Sequence, residues 1–144
     1  MNQTTHLILA CSALALLTLG VGVIMLVVRV REMKKERIHP QSIALSSQRT
    51  EKLQGSRVAD NYKNLFELPI LFYALCSLSI ASQQTPNWLP IAAWLFIVSR
   101  VIHSLIQCTY NRVIHRFSVF LVGVVLLGVM WISVLISSLT SVLI

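Results

Sequence analysis

Apolar residues in this chain come in long, nearly unbroken runs rather than in the alternation of a half-buried strand. Four runs stand out: Leu7–Val28, Asn61–Ala81, Trp88–Gln107 and Phe117–Leu139. Each is at least 20 residues long, enough for a helix to cross ~30 Å of hydrocarbon. Continuous rather than alternating hydrophobicity argues against membrane strands. The pattern predicts one all-α domain over 1–144, an integral membrane four-helix bundle. Its helices are expected at about 7–28, 57–81, 88–110 and 116–140, with a polar connection over 29–56.

Composition agrees: the chain is 56% hydrophobic and 12% charged, too apolar for a water-exposed surface. A net charge of +7 could suggest nucleic acid, but the placement of the charges fits membrane topology better. Arg29, Arg31, Lys34, Lys35, Arg37, Arg49, Lys52 and Arg57 lie between runs one and two, and Arg112 and Arg116 between runs three and four. Both connections fall on one side. The opposite side, with both termini and the Ser82–Asn87 turn, has no Lys or Arg. The positive-inside rule then places both termini outside and the basic side in the cytoplasm, where it would contact anionic lipid headgroups. The N-terminal MNQTTH lacks the basic region of a signal peptide, so the first run is expected to be an uncleaved anchor. Cys11, Cys76 and Cys108 show no paired spacing, and the four histidines show no metal-ligand spacing. No metal and no nucleic acid are expected.

The first and last runs carry no charge; the second contains Lys63 and Glu67, and the third Arg100. At about 100° per residue, Arg57, Asp60, Asn64 and Glu67 fall within roughly an 80° sector of one helix. Arg100, His103, Gln107 and Tyr110 do the same on the next. An acidic side chain near the middle of a membrane helix costs at least ~2.5 kcal/mol, so these faces need a partner, a cavity or a function. Pro69, two residues after Glu67, predicts a kink there. Arg100 could simply pair with Glu67 or Asp60, and His103 could be a satisfied packing residue. Arg29-Val-Arg31 reads either as an interfacial anchor or as an anion clamp. Gly20, Gly22, Gly123 and Gly128 read as sites of close helix packing.

Together the two faces offer several cations, carboxylates, amides, an imidazole and a phenol. The sequence contains no GxSxG and no glycine-rich phosphate loop. Such a set suits a small, mostly anionic molecule with an amine, such as glutathione. Arginines would take its carboxylates, Glu67 its ammonium, and a nearby arginine would favour its thiolate. The bilayer would deliver a lipophilic electrophile.

Arg57 followed by Asn64-x-x-Glu67-x-Pro69 resembles the helix 2 signature of the MAPEG family, the membrane-associated proteins in eicosanoid and glutathione metabolism. Arg100-x-x-His103 followed by Arg112 and Arg116 is similar to the helix 3 signature of its prostaglandin synthase branch. The resemblance spans the whole chain and implies a homotrimer with glutathione bound between protomers near the cytoplasmic face. By it, Arg116 would be the catalytic residue that stabilises the thiolate. Arg29, Asn64, Glu67 and His103 would hold glutathione, and Arg57, Arg100, Gln107, Tyr110 and Arg112, from the polar faces and basic connections, complete the candidate glutathione site. The chain departs from the family at three positions: Asp60 for an arginine, Gln107 for a tyrosine, and Phe117 for a polar residue. The implied activity is a glutathione-dependent transferase or peroxidase in a bacterial inner membrane. A non-catalytic lipid-binding or assembly protein of the same fold and a small transporter are the rival readings.

Overall fold

The structure is a computed structural model that describes residues 2–43, 57–83 and 85–143. The order is α1 (Gln3–Lys35), a short 3-10 turn (Pro40–Ile43), α2 (Arg57–Asn64), α3 (Leu68–Ala81), α4 (Leu89–Cys108) and α5 (Val113–Leu143). Among the described residues there are helices, turns and short irregular connections, and no strand. Among the described residues, four helical segments are long and apolar enough to cross a membrane: α1, α2 with α3, α4, and α5.

Each long helix turns one stripe inward. In α1 the stripe is Leu7, Ala10, Leu14, Thr18, Val21 and Met25, spaced by three or four residues, as one helix face requires. Leu16 and Leu19 on the other side are 68% and 66% exposed. Exposed side chains this apolar are stable in lipid and costly in water. Helix α4 runs through the middle, packed on α1, α2 and α5. Its inner face includes Phe96, which stacks on Phe72 of α3 at 4.8 Å between centroids. At the end away from the basic residues, the side chains of Gln3 and Asn87 are hydrogen-bonded.

The second span is broken between Asn64 and Leu68. Pro69 has no N–H for the Leu65 carbonyl, and its ring crowds the preceding turn. The backbone tightens instead: Phe66 N–H donates to Lys63 O at 2.8 Å and Glu67 N–H to Asn64 O at 3.3 Å. The kink expected from Pro69 is therefore a full interruption, and Glu67 sits on it. At the basic end, α1 continues to Lys35, so Arg29 and Arg31 are helical. Gly22 and Gly123 do give close approach, to Tyr62 and Arg100, whereas Gly20 and Gly128 face nothing within 4 Å.

Candidate functional site

The break in the second span, the C-terminal half of α4 and the first turns of α5 enclose a hollow of about 240 Å³. Asn64, Glu67, His103, Val113, Arg116, Phe117 and Phe120 line it. Asn64 comes from the last turn of α2 and Glu67 from the break. Because the helix stops there, Glu67 is exposed to the hollow rather than packed along a ladder.

The polar wall is a connected network. His103, 4% exposed, places Nδ1 3.2 Å from the Arg116 carbonyl oxygen. Its Nε2 lies 3.0 Å from Gln107 Oε1, and the Asn64 amide meets the same Gln107 oxygen at 2.9 Å. Arg116 is held from below: its guanidinium donates to Asn111 Oδ1 at 3.0 Å. Asn111 has φ 49° and donates its N–H to the Ile106 carbonyl at 2.8 Å. Asparagine tolerates this left-handed backbone. One residue thus closes the turn after α4 and fixes the cation at the start of α5. Phe117 and Phe120 supply an apolar wall beside it.

A second polar cluster lies deeper. Asn61 is fully buried; its Nδ2 donates to Cys108 Sγ at 3.4 Å, and Ser104 Oγ donates to its Oδ1 at 3.2 Å. Sequence reasoning missed Asn61 and Ser104. The available signal was spacing: Asn61 precedes Asn64 by three, and Ser104 precedes Gln107 by three, so each pair shares a helix face.

Arg100 corrects two expectations. It does not line the hollow, and among the described residues it pairs with neither Glu67 nor Asp60; the ion pair found there is Lys35–Glu36, at 3.8 Å. Its guanidinium lies in a slot over Gly123, where a Cβ would come within 2.2 Å of its terminal nitrogen. It is 2% exposed, donates to the carbonyls of Val119 and Phe120 at 3.3 and 3.5 Å, and packs 5.4 and 5.5 Å from the Phe96 and Phe120 ring centres. Aromatic faces and carbonyl oxygens replace a carboxylate as its partners.

The other expected residues lie away from the hollow. Helix α4 ends at Cys108, so Tyr110 falls in the turn instead of extending the polar stripe. Tyr110 is 55% exposed, with its hydroxyl 3.3 Å from His115 Nδ1. Arg57 donates to the Thr109 carbonyl at 2.6 Å, a cation at the C-terminus of α4 where the helix dipole favours it. Arg112 is exposed, and Arg29 reaches Met25 Sδ at 3.8 Å on its own helix. Gln107 touches the site through Asn64 and His103 without lining the hollow.

The hollow can accept an anionic group beside Arg116, an ammonium beside Glu67, and apolar atoms against Phe117 and Phe120. At about 240 Å³ it is smaller than the roughly 300–1,000 Å³ that encloses a drug-sized ligand. No match was found among curated proteins or among solved structures. The family model described as "MAPEG family" matches residues 7–136, from the first inward leucine of α1 nearly to the end of α5. The chain belongs to the MAPEG family, and it is an integral, multi-pass membrane protein.

Proposed function

We propose that this protein is a glutathione-dependent transferase or peroxidase acting on lipophilic electrophiles from the bilayer. The observation that carries the reading is the convergence of Arg116, Glu67, Asn64 and His103 on one hollow with an aromatic wall. Cation, carboxylate and amide match the carboxylates, ammonium and peptide groups of glutathione. A bound glutathione would supply the nucleophilic sulfur.

Arg116 has the role of stabilising thiolate over thiol, since an adjacent guanidinium favours the charged form. Asn111 keeps that guanidinium in place, so little of its freedom is lost on binding. Glu67 accepts from the ammonium and fixes the orientation of the ligand. Phe117 and Phe120 exclude water and give an apolar acceptor a surface to meet. The small volume fits this reading if a second protomer supplies the remaining wall, as in the homotrimer that family resemblance implies. Arg29, Arg57 and Arg112 would then act on ligand held at a neighbouring subunit. The basic end, where the hollow lies, is read as cytoplasmic.

The test is glutathione binding to the purified protein in detergent, followed by thiolate absorbance across pH. Binding with a lowered thiol pKa is the expected result. No binding at millimolar glutathione would refute the proposal and favour a non-catalytic member of the family.

A further inference from the structure

His103 is held between two groups that, as placed, both accept hydrogen bonds. The Arg116 carbonyl faces Nδ1 at 3.2 Å. A carbonyl oxygen has no proton to give, so Nδ1 carries one. Nε2 faces Gln107 Oε1 at 3.0 Å, and the Asn64 NH2 donates to that same oxygen at 2.9 Å.

Two proton arrangements satisfy this geometry. In the first, the amides stay as placed and both ring nitrogens are protonated, which makes His103 an imidazolium. In the second, the Gln107 and Asn64 amides are each turned by 180°, a change that leaves their outline nearly unaltered. The Gln107 NH2 then gives one hydrogen to a bare His103 Nε2 and the other to Asn64 Oδ1. Every donor and acceptor is used and the ring is neutral.

The charges around the ring choose between them. From α4 comes Arg100, beside the same Phe120 ring that packs near His103. From α5 comes Arg116, and from the break in the second span comes Glu67, exposed across the hollow. Among the described residues no carboxylate is bonded to the ring. An imidazolium 4% exposed would add a buried cation to two arginines without a direct counter-charge, which is costly.

We propose that Gln107 is a positioning residue: held by a neutral, Nδ1-protonated His103, it donates to Asn64 Oδ1 and so turns the Asn64 NH2 into the hollow. The hollow thereby presents a second donor beside Arg116 and selects an anionic or carbonyl oxygen. In the opposite arrangement Asn64 would show its own oxygen there and repel the same group. A phenol at 107 has one proton to give and could donate to only one of the two neighbours, accepting from Asn64 and so leaving the Asn64 oxygen toward the hollow. The ligand half of this inference rests on the proposed function; the amide orientation does not.

The test is ¹⁵N NMR of the full-length protein in detergent micelles at pH 7.5, in a variant that keeps His103 as its one histidine (His6, His39 and His115 each →Gln). Long-range ¹H–¹⁵N correlations should show a protonated Nδ1 and a bare Nε2. Protonation of both nitrogens, or of Nε2 alone, would overturn the proposal. Gln107→Met removes the donor at similar volume. It should make the ring tautomer mixed and weaken glutathione binding about fivefold or more. Unchanged affinity would overturn the claim that Gln107 sets ligand preference. If the parent protein bound no glutathione, the proposed function would fail while the ring spectrum still decided the amide orientation.

Discussion

Replacing Gly123 with alanine tests the buried cation most directly. The new Cβ would lie 2.2, 2.8 and 3.2 Å from the terminal nitrogen, Cζ and Nε of Arg100, so the guanidinium must shift in its slot. It has little room to go, being 2% exposed and bordered by Phe96 and Phe120. Overpacking a filled core costs about 1–3 kcal/mol. A hydrogen bond from a charged group is worth about 1.5–3 kcal/mol, and a desolvated cation–π contact up to ~2 kcal/mol. These overlap, because partial movement keeps some contacts, and about 3 kcal/mol is the expected loss for Gly123→Ala. For a chain of this size that corresponds to a fall in Tm of about 10 °C. Circular dichroism of the detergent-solubilised protein would measure it. The double-mutant cycle with Arg100→Met identifies the cause. Without a guanidinium, the alanine should cost at least ~1.5 kcal/mol less. A single-variant cost below ~0.5 kcal/mol, or the same cost in both backgrounds, would refute the slot.

Three further outcomes are expected. Arg116→Ala should remove turnover with a lipophilic electrophile while leaving much of the glutathione binding; the bound thiol pKa should rise by about two units, ~2.7 kcal/mol of lost thiolate stabilisation, read by thiolate absorbance. Glu67→Gln should weaken glutathione by about 10- to 100-fold, the size of a charge-assisted hydrogen bond, and leave affinity for an analogue lacking the amino group nearly unchanged, as calorimetry would show. Asn61→Leu should lower stability by about 1–3 kcal/mol, because Ser104 loses its buried acceptor; a neutral result in thermal unfolding would mean that cluster does not hold α2 to α4.

The spans were legible because a membrane helix satisfies its own backbone and needs only length and hydrophobicity. A kink beside Glu67 is legible through Pro69, since the missing N–H acts locally; that it becomes a full break between Asn64 and Leu68 is seen only in the structure. Asn64, Glu67, His103 and Arg116 were also readable as site candidates, and they do line one hollow. Spacing puts Arg100 on the same face as His103, yet it gives a direction around a helix and not the length of a slot opposite. Gly123 decides where that guanidinium goes, and no periodicity links position 100 to position 123. Tyr110 lies off that face for a nearer reason: α4 ends at Cys108 and the backbone leaves helical geometry at Thr109, before the stripe can continue.

The sequence by itself determined an all-helical membrane protein with four spans, a basic end and polar residues concentrated near that end. Those properties follow from each segment's own transfer free energy and local backbone chemistry. Tertiary packing decided which polar groups meet: Asn64 with Gln107 and His103, Arg116 with Asn111, and Arg100 with two aromatic rings and two carbonyls. Those pairings depend on how three separate helices are set against one another, and only the folded arrangement fixes that.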